Sequence, residues 1–226
     1  MKQTPTGIVL GVWLLLVAGP AYAYRPFNST DAAVAARGEM EIECGPFGYI
    51  VEVDGRFVVI PSVILNVGVA EGWEVVIEGR NFVTTRSDVA KRRDTVRETA
   101  LSVKGIVRQG SLQDRTGPSV GLEASLLLPG IGTDPGIGAS ILGIVSQRWS
   151  ALTVHANGAL LIPHEHTLGG IASAIVECPS RWPIRPVAAW VLEHNGGRTV
   201  CGLGGGLWHV RQKWSIGGGC RRARAG

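Results

Sequence analysis

The residues of this 226-residue chain that could do chemistry are few and scattered. Pro163-His164-Glu165-His166 carries two histidines at i, i+2, which puts both imidazoles on one side of a strand end, where a third ligand would complete a zinc site. No third ligand is identifiable from sequence, so a solvated polar turn is expected and no metal is assigned. His155 lies on the polar side of an alternating run and could act as a general base, but no positioned Ser or Asp partner can be identified beside it. Gly202-Leu-Gly-Gly-Gly206 and Gly217-Gly-Gly219 lack the strand, turn and helix context of a phosphate loop. No cofactor is expected, no catalytic residue is assigned, and the chain reads as a non-enzyme.

The cysteines, Cys44, Cys178, Cys201 and Cys220, invite disulfides if the chain is exported. By strand parity all four fall on apolar faces, where a thiol behaves as a small hydrophobe. Cys201 and Cys220 are near-opposite on one hairpin and are the pair with a route to bonding; free thiols are the expectation.

The elements that position these residues read as strands. From Gly143 to Leu161 two β-prone runs meet at a tight turn near Arg148-Trp149-Ser150. In the second run Leu152, Val154, Ala156 and Leu160 share one face, and Thr153, His155 and Asn157 share the other. The same period recurs where Trp73, Val75 and Ile77 oppose Glu74, Glu78 and Arg80, and where Leu101, Val103 and Val107 oppose Glu98, Ser102 and Lys104. Val120, Leu122, Ala124, Leu126 and Leu128 oppose Ser119, Glu123 and Ser125; Ile184, Ala188, Trp190 and Leu192 oppose Arg185 and Glu193.

Taken in order, strands are expected at Glu39 to Cys44 with an extension toward Val53, then Phe57 to Ala70, Trp73 to Val83, Asp94 to Arg108, Gly117 to Leu128, and Gly136 to Arg148. Ala151 to Ile162, Glu165 to Cys178, Trp182 to Glu193, Thr199 to Val210 and Lys213 to Cys220 bring the number to about eleven. Before them, Tyr24 to Asp31 reads as an extended lead-in, and Ala32 to Ala36 as one helical turn capped by Thr30 or Asp31.

Composition agrees with an all-β chain. With 32 Gly and 18% charged residues, helix bundles and disorder are both disfavoured, because Gly weakens helix interiors and disorder needs polarity. Residues 1–23 read as a signal peptide, with Lys2, an apolar stretch from Ile8 to Ala18, and a small-residue site at Ala21-Tyr22-Ala23. Residues 24–226 would then form a single β-barrel domain. The net charge of +4 is modest and its basic residues fall in connections, which argues against nucleic acid as a partner. Arg86, Lys91, Arg92 and Arg93 form one such basic loop, expected to be solvated.

Alternation does not say which face meets a core. A soluble barrel holding an apolar ligand points its apolar face inward, and an outer-membrane barrel points it outward. Three features favour the membrane. Many runs reach the roughly 9 to 11 residues a tilted strand needs to cross a bilayer. Connections alternate between tight ones, such as Arg148 to Ser150, Pro179 to Arg181 and Arg211-Gln212, and longer ones, such as Thr84 to Arg93 and Pro129 to Pro135; Gln109 to Thr116 breaks that rule. Trp73, Trp149, Trp182, Trp208 and Trp214 all lie beside turns of one end, as an interfacial girdle would require, and only Trp190 departs from it once Trp13 of the leader is set aside. The opposite faces then nominate Glu74, Glu78, Arg80, Glu98, Lys104, Glu123, His155, Asn157 and Arg185 as lumen-lining residues.

Arg25-Pro-Phe-Asn-Ser-Thr-Asp-Ala32, Gly45-Pro-Phe-Gly-Tyr49, Glu78-Gly-Arg-Asn81, Gly117-Pro-Ser119, Leu128-Pro-Gly130 and Gly143-Ile-Val-Ser-Gln-Arg-Trp149 resemble a group of bacterial outer-membrane barrel proteins. They look like the transporter family labelled "MetA-pathway of phenol degradation". The resemblance rests on strand and turn signatures over the whole mature chain, not on catalytic motifs. It implies an outer-membrane β-barrel passing small hydrophobic solutes, with outer-membrane lipid as its partner. The chain departs from that pattern by stopping at Arg224-Ala225-Gly226 instead of on a terminal aromatic residue. About eleven strands plus one more would restore the even number usual for bacterial barrels, so a truncated product is expected. The function expected is a passive channel or transporter. A soluble barrel binding an apolar ligand is one alternative, and a barrel enzyme acting on lipid through His155 or His164 is another.

Overall fold

Runs of alternating polarity fold into strands because successive side chains then point to opposite faces and each face can meet one kind of environment. A computed structural model describes residues 30–44, 48–52, 55–86, 94–131, 136–150, 152–163, 168–178, 184–185, 187–195, 198–209 and 215–225. Its strands are β1 (Met40–Cys44), β2 (Gly48–Glu52), β3 (Gly55–Ala70), β4 (Trp73–Arg86), β5 (Asp94–Arg108), β6 (Ser119–Leu128) and β7 (Gly138–Trp149). They continue as β8 (Leu152–Ile162), β9 (Gly169–Glu177), β10 (Ile184–Arg185), β11 (Val187–Asn195), β12 (Arg198–His209) and β13 (Ser215–Ala225). No α-helix occurs among the described residues, only a short 3-10 turn at Ser111–Gln113.

All 13 strands belong to one antiparallel sheet, curved into a half-barrel. β1 pairs with the Val63–Val67 part of β3 and β2 with its Gly55–Val59 part, so the two share one strand position beside β3. β10 and β11 divide β12 between them in the same way. The 13 strands therefore occupy eleven positions of an up-and-down meander, which is the number of runs read from the sequence. Two of those runs are described in two pieces, β1 with β2 and β10 with β11, and residues 45–47 and 186 between the pieces lie outside the described residues. Of the run expected from Glu165, residues 165–167 lie outside the described residues, and the strand is described from Gly169.

Burial follows the alternation with its usual sense reversed. Along β5 and β6, Ser102, Lys104, Ser119 and Glu123 are buried, while Leu101, Val103, Leu122 and Leu126 are exposed. Along β7 and β8, Ser146, His155 and Asn157 are buried against exposed Ile141, Val145 and Leu160. The inner face thus carries the buried charged and polar groups, interspersed with buried Val76, Ile144, Ile175 and Val191, and the outer face is apolar. Exposed large hydrophobics extend along the outside from Met40 to Leu192, far beyond the scattered singles of an ordinary water-facing surface.

One irregularity keeps this inversion in phase along β3. Phe57 and Val59 are buried at odd positions, whereas Ser62, Ile64, Asn66 and Gly68 are buried at even ones. The register with β4 shifts between Val59 and Ser62, and Ile60 and Pro61 inside that bulge are both exposed. An extra residue in a strand re-aims the side chains beyond it, and Pro, which has no N–H to give the ladder, suits such a place. Below the bulge, Phe57, Val59 and Phe82 form a small apolar cluster, the two rings meeting edge to face at 6.3 Å between centroids.

Chain order and pairing put the turn at Glu71-Gly72, the connection from Gln109 to Pro118 and the turn at Ser150 at the same end of the sheet. Trp73 and Trp149 stand exposed beside two of these. The Trp73 ring lies over Gly105, its register partner on β5; a methyl group there would sit 2.6 Å from the ring. The backbone of Trp208 reaches that end as well, near the last residues of β12. Trp182 and Trp214 lie outside the described residues, as do the basic loop residues Lys91, Arg92 and Arg93. Trp190 sits within β11, away from either end.

Candidate functional site

A polar inner face has to satisfy its own charges, and the register of three strands does this first. Glu74 on β4 pairs with Lys104 on β5, which pairs in turn with Glu123 on β6. Lys104 Nζ lies 3.2 Å from Glu74 Oε1 and 3.7 Å from Asp31 Oδ1, and it donates a hydrogen bond to Thr30 Oγ1 at 3.2 Å. One ammonium thereby bridges the sheet and the segment that precedes it.

That segment is the main departure from the sequence reading. Residues 31–36 form no helical turn; they cross the inner face as an extended strap. Asp31 does use its side chain locally, accepting the Ala33 N–H at 3.1 Å. Three amides of the strap reach the sheet: Thr30 N–H donates to Asn157 Oδ1 at 3.4 Å, Ala32 N–H to Ser146 Oγ at 2.9 Å, and Ala35 N–H to Glu74 Oε2 at 2.7 Å. Backbone amides taken from water need such partners, and inner-face side chains supply them. Close approach near the far end needs a glycine: a methyl group on Gly68 would lie 2.0 Å from the Ala36 carbonyl oxygen.

The long connection from Gln109, an exception among the short turns of its end, has a structural reason. Gln113, in the 3-10 turn, donates through Nε2 to the Ala32 carbonyl at 2.8 Å, and its Oε1 accepts from Ser119 Oγ at 2.8 Å. Ser111 Oγ accepts the Arg148 N–H at 2.8 Å. The loop folds across the end of the sheet and holds the strap from that side.

A second polar centre surrounds His155. Its Nδ1 lies 2.8 Å from Ser146 Oγ, and its Nε2 lies 3.6 Å from Glu177 Oε1. Ser, His and a carboxylate in line are the parts of a nucleophilic relay. Here Ser146 is fully buried and its oxygen already accepts the Ala32 N–H, which leaves no approach for an acyl carbon. The arrangement ties the strap to β7, β8 and β9. Ser146 could be found from sequence as a partner of His155: a turn pairing Trp149 with Leu152 also pairs Ser146 with His155. Glu177 could not, because it reaches the site through the β8 and β9 register across the long connection at residues 163–168.

Of the other lumen candidates, Glu78 is half-buried, and Arg80 pairs with Glu98. The Glu98 side chain is 43% exposed, and its backbone has a positive φ of 53° beside a register shift between β4 and β5. Arg185 has its backbone in β10; its side chain lies outside the described residues. His164 and His166 lie outside them too. Among the described residues no three His, Cys, Asp or Glu side chains converge to hold a metal. Cys44 and Cys178 are exposed free thiols. In register, Cys201 faces Arg222 and Cys220 faces Leu203, so the two are offset by two positions rather than opposite.

The chain matches no protein-family model, no curated protein and no solved structure.

Proposed function

We propose that the chain is a bacterial outer-membrane β-barrel, exported through its N-terminal signal peptide, that conducts small solutes as a passive channel or transporter. One observation carries the reading. Charged and polar groups such as Lys104, Glu123 and His155 are buried on the inner face, and Leu101, Leu122 and Leu160 are exposed on the outer one. In water that arrangement would strand a broad apolar surface; in hydrocarbon it is the arrangement of low energy, because strand N–H and C=O groups pair within the sheet. Strands of 9 to 16 residues, as in β9 and β3, are long enough to cross.

The polar lining favours water-soluble solutes over the hydrophobic ones that the resemblance implies. The strap across the inner face makes the channel a constricted one. A soluble barrel with an apolar cavity fits poorly, because its apolar side chains would point inward.

The test is flotation of the refolded protein with phospholipid vesicles, paired with heat-modifiable gel migration and conductance across a planar bilayer. Co-flotation and discrete conductance steps are expected. Protein left in the aqueous fraction would overturn the membrane reading, and flotation without conductance would overturn the channel.

A further inference from the structure

One of the bonds that fasten the strap to the sheet ends beside a titratable ring. Ala32 N–H donates to Ser146 Oγ at 2.9 Å, and the same oxygen lies 2.8 Å from His155 Nδ1. On the other side of the ring, His155 Nε2 lies 3.6 Å from Glu177 Oε1, a buried oxygen that accepts no hydrogen bond. Thr30 N–H reaches Asn157 Oδ1, two residues from His155 on the same face of β8. The Thr30–Ala32 half of the strap therefore rests on the surroundings of His155, whereas the other half rests on Glu74 and Gly68.

A serine hydroxyl has one proton to give and two lone pairs. With His155 neutral, the pairing assigns the ring proton to Nε2, toward the Glu177 carboxylate, and Nδ1 accepts the Ser146 O–H; the Ser146 oxygen then accepts Ala32 N–H. Protonation puts a donor on Nδ1 as well. Ser146, 0% exposed, thereby loses the acceptor of its own proton and meets two donors, Ala32 N–H and the ring. A buried hydroxyl left unpaired is costly, so the imidazolium is drawn to Glu177 Oε1, which lacks a donor.

The other charged groups around the ring are engaged elsewhere. On β7, Arg148 is exposed and lies 3.9 Å from Asp114; on the strap, Asp31 lies 3.7 Å from Lys104 Nζ. His155 is the titratable side chain of β8 and Glu177 that of β9. Glu123 and Lys104 belong to β6 and β5, two and three strand positions from β8, and Lys104 reaches the strap through its bond to Thr30 Oγ1.

We propose that protonation of His155 unfastens the Thr30–Ala32 half of the strap from β7 and β8, which makes the strap a pH-sensitive gate across the inner face. Histidine is the side chain that changes charge between about pH 5 and 8, so the gate is closed at the upper end of that range and open at the lower. The gate rests on the channel reading above; the unfastening does not.

Amide-resolved hydrogen exchange of the refolded full chain in detergent, corrected for the intrinsic effect of pH, tests the unfastening. From about pH 8 to about pH 5 the Ala32 amide should lose roughly tenfold of its protection. The Gly38 amide, bonded to the Gly68 carbonyl at 2.8 Å, should keep its own. His155→Gln stays neutral and offers Ser146 an amide oxygen, so Ala32 should be protected at both ends of the range; in Ser146→Ala it should be unprotected at both. Heat-modifiable migration identical to wild type establishes that the variants fold. Ala32 protection that ignores pH in the wild type, a pH response retained by folded His155→Gln, or an equal loss at Gly38 would each overturn the proposal. Conductance across a planar bilayer should rise several-fold over the same range in the wild type and stay constant in His155→Gln. Conductance that ignores pH while Ala32 exchange responds would overturn the gate, and absence of conductance at any pH would overturn the channel reading, with exchange still deciding the unfastening.

Discussion

Lys104 Nζ lies 3.2 Å from Glu74 Oε1, with both side chains about 97% buried and the two residues register partners on β4 and β5. Charges so enclosed are stable only together, since the loss of one leaves the other without water or partner. Lys104→Ala should therefore destabilise the fold by about 3–5 kcal/mol. Glu74 also holds the Ala35 N–H, and Glu123 flanks Lys104 on β6 with its Oε2 unbonded, so the damage would spread to strap and sheet. The double variant Lys104→Met/Glu74→Leu should recover part of that loss, because it removes both charges. Urea unfolding in detergent measures both; a double variant as unstable as the sum of the singles would show that the pair does not act as a unit.

Gly68 controls how closely the strap can lie against β3. Any side chain there meets the backbone at Ala36, which has no flexible end to move aside. In Gly68→Ala the strap should lift, and the exposed Arg37 beside it should become a faster tryptic site. Cleavage at Arg37 several-fold faster than in wild type, with conductance raised, is the expected outcome. Unchanged cleavage would mean that the strap accommodates the methyl group by shifting along the sheet.

How far the sequence reveals this arrangement depends on the range of each contact. The eleven runs, their parities and the inward candidates Glu74, Lys104, Glu123, His155 and Asn157 all come from a two-residue period, which is local and written in the residues themselves. The strap has no such local signal. Thr30, Asp31 and the alanines after them look like a capped helix start; a set of bonds to Glu74, Lys104, Ser146 and Asn157, up to 127 residues away, holds them extended.

Leu101 sits at the middle of β5 on the outer face, 42% exposed. In water, replacing so exposed a residue by arginine should change stability by no more than about 0.5 kcal/mol. At the centre of a bilayer the same change costs about 2–4 kcal/mol. Leu101→Arg should accordingly fold normally in detergent and insert poorly into vesicles, compared by the folded fraction at equilibrium in urea. Equal insertion of variant and wild type would contradict a lipid-facing outer surface.

Trp73 and Trp149 are 49% and 54% exposed at one end of the sheet, and Trp190 is 39% exposed within β11. Indole rings at an interface sit near the headgroups, whereas a ring midway along a spanning strand sits deeper. Bromine placed at shallow and deep positions of the acyl chains quenches fluorescence by depth. Trp149→Phe should remove emission that shallow bromines quench best, and Trp190→Phe should remove emission that deep bromines quench best. Trp73→Phe should resemble Trp149→Phe, with an added loss of stability, because the Trp73 ring covers the Gly105 backbone and phenylalanine covers less of it. Identical depth profiles for the Trp149 and Trp190 variants would remove the girdle and leave the tryptophans as ordinary surface residues at one end of the sheet.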